Sequence, residues 1–335
     1  MVIKGEKGVA LVLALAVIAL LVSLVVDFSY TMMVDLTLAA NLRDEQKAFY
    51  VARSGVELAR HLLQKDQKDN LDYVGLDQDW AQLPEHPGFL SEDDEGRFKV
   101  TIEDEAGKFP INALVKKDNN GDSTVDRDRS EQLKQLFEAL ELDPELIDPI
   151  IDWLDSDSTP SSLYGLSGAE DAYYQGLPSP YRCKNGPLAA LEELLLVKGM
   201  TKEILYGTEE KKGLIHFLTL YSDGKININT ASAEVLQSLS VHDAIITKNL
   251  AQAIIDYRQE APFKETTIKC ADIESLPEMT LQICNVLNDR TRCDIKSSYF
   301  SLRVEGKVRE IKKVIYTVLQ RDKDKVVKPV FWRIE

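Results

Sequence analysis

The feature that most constrains this chain is an uncharged apolar run near its start, from Val9 to Val26. A helix of that length rises about 27 Å, close to the roughly 30 Å thickness of the hydrocarbon core of a bilayer. Lys4 and Lys7 precede the run and Asp27 follows it. Because positive charge is retained on the cytoplasmic side, this arrangement predicts a single membrane span with the rest of the chain outside the cytoplasm. A secretory signal peptide is the alternative, but its apolar core is usually shorter, about 7–15 residues.

The helical pattern continues beyond the apolar run. A stripe of residues recurs at intervals of three and four, which is the spacing of one face of an α-helix. The stripe comprises Glu45, Phe49, Ala52, Val56, Ala59 and Leu63. The chain contains no proline before Pro84. We therefore expect one unbroken helix from about Val9 to Leu63, half in the membrane and half packed on a folded domain.

The rest of the chain changes between strand and helix patterns. Around Val100 apolar and polar residues alternate as in a strand, and from about Ser130 to Cys293 apolar residues are spaced as in helices. Alternation returns after Cys293, with a hairpin turn expected at Glu305-Gly306 and a last strand near the C-terminus. This order predicts an α+β fold with a small antiparallel sheet, interrupted by a large inserted all-α domain. Three domains in series are the alternative.

An acidic stretch within the helical part is the first candidate for a binding site. Its carboxylates are Asp152, Asp155, Asp157, Glu170 and Asp171. Packed without a cation, such groups repel one another, whereas calcium takes about six to eight oxygen ligands. The pattern predicts a calcium site, and a solvated acidic loop at a helix end is the alternative. Over the whole chain, the net charge of −15 disfavours binding to nucleic acid.

The four cysteines of the chain are Cys183, Cys270, Cys284 and Cys293, and none of them forms a CxxC pair. With only four histidines besides, this arrangement disfavours a zinc site. Three of the cysteines fall in one short region, which suits a disulfide in an oxidising compartment. We expect Cys284 to pair with either Cys293 or Cys270, and buried free thiols are the alternative.

The stretch from Asn227 to Phe263 resembles the helix-hairpin-helix units of competence-type DNA receptors. Such units bind backbone phosphates through a glycine-containing hairpin, but the hairpin here has no glycine and carries His242 and Asp243. Without glycine the backbone cannot readily approach a phosphate. We therefore expect a degenerate unit that serves packing, and no nucleic acid as a partner. The sequence also has no GxSxG, P-loop or HExxH motif, so we expect no enzymatic activity.

The N-terminus resembles that of the prepilin family. In that family a short basic leader ends in a glycine, a peptidase cleaves after it, and the apolar helix begins the mature protein. The resemblance implies that residues 1–8 are the leader, that cleavage follows Gly8, and that Val9 is the new N-terminus and the expected site of N-methylation. Most prepilins carry a glutamate five residues after the cut, where this chain has Leu13. That glutamate is thought to neutralise the N-terminus of the neighbouring subunit, so its absence favours a subunit at the filament tip.

Longer stretches make the resemblance more specific. They are KGVALVLAL, FYVARSGVELA, DEAGKFPINAL, DWLDSDS, GAEDAYY, LEELLLVKGMT and DGKININTASAEVL. Together they resemble the minor pseudopilins K of type II secretion systems (general secretion pathway protein K) over nearly the whole chain. The resemblance implies a pilin-like fold with a helix over residues 9–66, a β domain over residues 67–111 and 296–335, and the inserted domain over residues 112–295.

The resemblance to that family also implies a role and a location. We expect a minor pseudopilin that joins pseudopilins I and J at the tip of the pseudopilus, where it initiates or caps assembly for the export of folded proteins across the outer membrane. Other expected partners are the prepilin peptidase, other pseudopilins and the inner-membrane secretion platform. The expected location is the bacterial inner membrane, as a single-pass protein with its bulk in the periplasm. Members of the family bind calcium in the inserted region, which favours Asp155, Asp157, Glu170 and Asp171 as ligands.

Two other functions fit parts of this pattern. One is that of a periplasmic helix-hairpin-helix DNA-binding protein, which DNA retention would test. The other is that of a minor pilin of type IV pili, which would be recognised by the prepilins that co-purify with it.

Overall fold

The computed structural model describes residues 6–68, 73–82, 96–117, 123–240, 245–265, 267–273, 276–322 and 326–335. The helices are α1 (Glu6–Lys68), α2 (Asp79–Gln82), α3 (Arg127–Ala139), α4 (Ile147–Leu154), α5 (Asp171–Gln175), α6 (Lys202–Tyr206), α7 (Ala233–Gln237), α8 (Lys248–Glu260), α9 (Cys270–Ile273) and α10 (Leu281–Leu287). The strands are β1 (Arg97–Asp104), β2 (Phe109–Pro110), β3 (Val115–Lys117), β4 (Ser123–Val125), β5 (Leu218–Thr219), β6 (Ile226–Asn227), β7 (Cys293–Asp294), β8 (Tyr299–Val308), β9 (Ile311–Arg321) and β10 (Val327–Ile334). The longest elements therefore lie toward the two ends of the chain, with shorter ones between them.

The first helix, α1, is the unbroken helix that the sequence predicts. It has 63 residues and extends about 95 Å. From Gly8 to Ala39 its side chains are exposed, whereas Ala48, Ala52 and Leu63 are fully buried. Among the described residues it is the one helix long and apolar enough to cross a membrane, with a mean hydropathy of 3.3 over its most apolar window. The helix thus consists of an exposed apolar half and a half packed on the folded part of the chain.

A four-stranded antiparallel sheet, in the order β1-β8-β9-β10, covers the second half of α1. Apolar and polar residues alternate along β1 and β8 because successive side chains point to opposite faces and one face meets the helix. Val100 and Val304 of the sheet lie in a common core with Ala52 and Val56 of α1. The predicted strand around Val100, the return to strands after Cys293 and the last strand are therefore confirmed.

The hairpin between β8 and β9 turns later than the sequence suggests. Glu305 and Gly306 lie inside β8, and the turn follows at Arg309, whose φ is 53°. The expectation of a turn at Glu305-Gly306 is wrong, because the glycine serves packing instead. A Cβ on Gly306 would overlap the carbonyl oxygen of Ala48 and the backbone nitrogen of Ala52. Its absence allows the helix and the sheet to approach each other closely.

Between β1 and β8 the chain forms an inserted block with a hydrophobic core of its own. The helices α3, α4 and α8 contribute apolar faces that include Leu136, Ile150 and Ile254. The block is not all-α as predicted, because β2 pairs with β5, β3 with β4 and β6 with β7 in short two-stranded sheets. Phe109 and Ile111 already belong to its core. The packing boundary therefore lies before the predicted start at residue 112.

The inserted block sits at the end of the sheet that is far from the N-terminus of α1. At the near end, Arg309 in the turn after β8 forms an ion pair with Asp44 of α1. At the far end, Asp104 closes β1, and its Oδ2 accepts hydrogen bonds from Asn227 (3.0 Å) and Thr230 (2.6 Å) of the block. The length of the sheet therefore separates the block from the exposed half of α1.

A disulfide joins Cys270 of α9 to Cys284 of α10. This is one of the two pairings that the sequence left open. Cys293 in β7 and Cys183 are both buried free thiols, so the pairing of Cys284 with Cys293 is not the one that forms. The disulfide closes a short loop near the end of the inserted block.

Candidate metal site and N-terminal anchor

Three carboxylates meet at the end of α4. Asp155 directly follows the last residue of the helix, Asp157 lies two residues further on, and Glu170 immediately precedes α5. Each offers one oxygen, and these oxygens lie within 4.8 Å of one another. The loop between Asp157 and Glu170 folds back on itself to bring them together. The structure therefore gathers three of the five carboxylates that the sequence suggests as ligands.

The surroundings of this cluster suit a bound cation. Asp155 and Glu170 are only 3% and 4% exposed. Asp155 Oδ1 and both carboxylate oxygens of Glu170 are buried without a hydrogen-bond partner. A buried charge without a partner is unfavourable, and burying carboxylates side by side adds repulsion. A divalent cation that prefers oxygen ligands, such as calcium, would relieve both effects.

The pKa values of the cluster also favour a bound cation. Burial, and next the charges of Asp157 and Asp152, raise the pKa of Asp155 to about 7. Burial, and next the charges of Asp152 and Asp155, raise the pKa of Glu170 to about 7. Both groups therefore hold a proton far more readily than an exposed carboxylic acid does. A metal ion and protons would compete for the same oxygens near neutral pH.

The other two predicted ligands, Asp152 and Asp171, are engaged elsewhere. Asp152 Oδ1 accepts a hydrogen bond from the amide of Ser161 (2.8 Å), and its Oδ2 accepts one from the amide of Ala169 (2.5 Å). Asp171 Oδ1 accepts a hydrogen bond from the amide of Cys183 (2.7 Å). Backbone amides thus occupy these oxygens, and the structure does not bring Asp152 and Asp171 into the ligand cluster.

Asn185 lies beside the cluster, and the acidic pattern of the sequence gives no sign of it. Its side-chain amide donates to the carbonyl oxygen of Asp157 (2.8 Å), while its Oδ1 is buried without a hydrogen-bond partner. Its φ of 47° is left-handed, which asparagine tolerates better than most residues. The Asn-Gly pair at 185–186 is typical of such a turn. Its place beside Asp157 follows only from the fold of the block.

Two family models described as type II secretion system protein K match residues 107–208 and 226–268. The first range contains all three clustered carboxylates. The type II secretion system protein K of Pseudomonas aeruginosa is 28% identical over 96% of this chain and 90% of its own length. That of Aeromonas hydrophila is 27% identical over 96% of this chain and 95% of its own length. The chain is therefore similar to type II secretion system protein K over most of its length.

The fold of the chain agrees with this similarity to protein K. A chain from the crystal structure of the GspK-GspI-GspJ complex of the enterotoxigenic Escherichia coli type 2 secretion system superposes with a TM-score of 0.65. The two are 21% identical, and the match covers 89% of this chain and 99% of that chain. The predicted fold class, a pilin-like α+β fold with a long N-terminal helix and a small antiparallel sheet, is confirmed. The matched models and relatives are described as a component of the type II secretion system.

The second protein K family match covers the helix-hairpin-helix stretch, residues 226–268. Its two helices are α7 and α8, and the hairpin residues His242 and Asp243 lie outside the described residues. Arg258 of α8 is buried and donates a hydrogen bond to the carbonyl oxygen of Ile228 (2.6 Å). This contact fastens the second helix to the core of the block, which favours a packing role over the DNA-receptor alternative.

The expected processing site of this protein K homologue lies at the exposed start of α1. A Cβ on Gly8 would have no other atom within 4 Å, and Val9 is 64% exposed. Leu13, which stands where prepilins usually carry a glutamate, is 61% exposed. This part of the helix is therefore accessible both to a peptidase and to other helices.

Proposed function

We propose that this protein is the minor pseudopilin at the tip of the type II secretion pseudopilus, where it initiates or caps assembly for the export of folded proteins across the outer membrane. Similarity to type II secretion system protein K supports the assignment to this machine. The observation that carries the tip position is the inserted block, which lies at the end of the sheet far from the exposed half of α1. In a filament whose subunits pack through α1, a block at that end would occupy the space needed by a further subunit.

The exposed half of α1 would anchor the subunit before assembly. Its apolar side chains from Val9 to Val26 match the hydrocarbon core of a bilayer in length and character. With Lys4 and Lys7 on the cytoplasmic side, the folded part would lie in the periplasm and the anchor in the bacterial inner membrane. Prepilin peptidase would cleave after Gly8 and methylate the new N-terminus. The membrane would then serve as a store from which the subunit is extracted during assembly.

Pseudopilins I and J are the proposed partners. The solved relative comes from a complex of GspK with GspI and GspJ, and an equivalent complex is proposed for this chain. Exposed apolar side chains continue along α1 beyond the membrane span, among them Phe28, Met33 and Leu36. Helices that meet this stretch would bury apolar surface outside the membrane as well as within it. Other pseudopilins and the inner-membrane platform would be contacted during extraction.

Calcium is the proposed ligand of the cluster formed by Asp155, Asp157 and Glu170, with Asn185 Oδ1 as a neighbouring oxygen. The buried oxygens without hydrogen-bond partners support this assignment. The ion would supply the positive charge that the cluster lacks and would join the end of α4 to the start of α5. Its role would be structural, because it would hold the exposed carboxylate of Asp157 against the buried carboxylates of Asp155 and Glu170.

Labelling of assembled filaments tests the tip position. We expect an antibody against the inserted block, followed by gold, to mark the ends of pseudopili assembled with pseudopilins I and J. The detergent-solubilised full chain should also co-purify with both of these partners. Label spaced regularly along the filament would contradict the tip position. Co-purification with type IV prepilins in place of pseudopilins I and J would assign the protein to a different filament.

A further inference from the structure

Two carboxylates of α4 face the loop between the proposed metal ligands. Asp148 and Asp152 lie one helical turn apart, so they share a face of α4, and both are fully buried. The loop in question, residues 156–170, runs from the end of α4 to Glu170. Neither carboxylate belongs to the cluster of Asp155, Asp157 and Glu170.

Each of the two carboxylates binds two backbone amides of the loop. Asp152 receives the amides of Ser161 (2.8 Å) and Ala169 (2.5 Å), one on each oxygen. Asp148 Oδ1 receives the amide of Leu163 (2.9 Å), and its Oδ2 receives that of Tyr164 (3.1 Å). Hydrogen bonds from an amide to an ionised carboxylate are roughly twice as strong as those between neutral groups.

Other hydrogen bonds hold the loop mainly near its two ends. The amide of Ser156 donates to the hydroxyl of Ser123, and the side chains of Asn185 and Lys198 donate to the carbonyl oxygens of Asp157 and Ser167. Residues 156–160 are exposed, and Leu166 is 93% exposed. A loop with little buried apolar surface opens readily unless specific hydrogen bonds hold it. At its closest crossing, a Cβ on Gly168 would overlap the backbone of Ser161. Glycine there allows the two arms of the loop to meet over Asp152.

We infer that Asp148 and Asp152 are positioning residues that fold the loop 156–170 in the absence of metal, and so place Glu170 opposite Asp155. The inference rests on the proposed metal site. Ala169, whose amide Asp152 binds, is the residue next to Glu170. The hydrogen bond between Ala169 and Asp152 therefore fixes the backbone next to Glu170, which is the ligand furthest from α4 in the sequence. The metal binds a site that the protein has already built.

Hydrogen exchange of the full chain in detergent, combined with calcium titration, tests this inference. In metal-free protein we expect the amides of Ser161, Leu163, Tyr164 and Ala169 to exchange slowly. Asp148→Asn and Asp152→Asn should each accelerate exchange at least about tenfold at the loop amides that the replaced carboxylate binds. A tenfold change corresponds to a loss of about 1.4 kcal/mol of hydrogen bonding. They should also weaken calcium binding about tenfold or more.

Asp155→Asn is the contrasting variant for the same measurements. It should abolish calcium binding and leave the four loop amides as slow as in the unmodified protein. Gly168→Ala keeps both carboxylates but adds a Cβ that would overlap the backbone of Ser161 and Asp152 Oδ2, so it should also accelerate exchange in the loop. Gly176→Ala is its matched control, because a Cβ there makes only ordinary contacts. Amides of β8 and β9 report in each variant whether the rest of the chain is folded.

Fast exchange of the loop amides in metal-free protein, with protection only after calcium is added, would overturn the inference. The same is true if Asp155→Asn loosens the loop as much as Asp152→Asn does. Slow loop amides in a protein that binds no calcium at all would overturn the metal site and still support the role of Asp148 and Asp152 in folding the loop.

Discussion

Ser297 and Asp104 are 193 residues apart in the sequence, yet the hydroxyl of Ser297 donates a hydrogen bond to Asp104 Oδ2 over 2.6 Å. Asp104 ends β1 just before the inserted block, and Ser297 precedes β8 just after it. The same oxygen accepts a hydrogen bond from the hydroxyl of Thr230 (2.6 Å), and Oδ1 accepts one from the amide of Ala106 (2.9 Å). One buried carboxylate therefore fastens both ends of the block, and a point in its interior, to the sheet.

Removal of that carboxylate should loosen the block. We expect Asp104→Asn to lower the free energy of unfolding by about 2–3 kcal/mol, because asparagine replaces one acceptor oxygen with an NH2 group and leaves buried donors without a partner. Chemical denaturation of the full chain in detergent measures the change, and limited proteolysis should cut sooner between block and sheet. Glu310→Gln, at a side chain that is 96% exposed, is the control and should be neutral. Unchanged stability of Asp104→Asn would mean that other contacts hold the two parts together.

Calcium should stabilise the folded chain. A ligand that binds only the folded state adds about 2.7 kcal/mol at a free concentration of about 100 times its Kd, so the melting temperature should rise by several degrees. Asp155→Asn and Glu170→Gln should abolish the rise, since each removes a charged oxygen from the cluster. Glu209→Gln changes an exposed acid and should leave the rise intact. The metal site is refuted by a melting curve that responds neither to calcium nor to a chelator.

The raised pKa values of Asp155 and Glu170 predict a distinctive pH dependence of the metal-free protein. Between about pH 4 and 7 the folded cluster still binds protons that the unfolded chain has released. The free energy of unfolding contributed by these groups therefore falls as the pH rises through this window. This contribution is measured as the difference in the free energy of unfolding between the unmodified chain and the double variant Asp155→Asn/Glu170→Gln. A difference that is flat across the window would show that the two pKa values are ordinary.

The close contact between α1 and the sheet depends on Gly306. We expect Gly306→Ala to lower the free energy of unfolding by about 1–3 kcal/mol, because the added methyl group overlaps the helix backbone at Ala48 and Ala52. Near-ultraviolet circular dichroism and thermal denaturation would follow the change. Gly176→Ala supplies the same substitution at a site with room for a methyl group. Equal stability of the two variants would contradict the close-contact role of Gly306.

Processing should depend on Gly8. We expect Gly8→Val to leave an uncleaved precursor and to abolish secretion, because in prepilins the peptidase cuts after this glycine. Gly5→Ala alters another glycine of the leader and should permit normal cleavage. Intact-mass measurement of the purified chain distinguishes the precursor from a product that begins at Val9. Normal maturation of Gly8→Val would refute the prepilin assignment.

The sequence alone determined the long elements of this protein. The helix α1 follows from an apolar run and a stripe at helical spacing, and the strands β1, β8 and β9 follow from alternation, because both patterns are local consequences of backbone geometry. The family resemblance also followed from contiguous motifs. By contrast, the position of Gly306 within a strand depended on the approach of Ala48, from a distant part of the chain. The sequence alone does not distinguish a glycine in a turn from a glycine in a strand that packs against a helix.

Only the tertiary structure decided which carboxylates form the candidate metal site. Asp152 and Asp155 are chemically identical in the sequence, but backbone amides of the loop return to Asp152 and leave an oxygen of Asp155 without a partner. The same holds for Cys284, whose choice of Cys270 over Cys293 depends on how α9 and α10 pack. Hydrogen bonds and disulfides between distant residues depend on where the folded chain places each atom, and residue type and spacing do not contain that information.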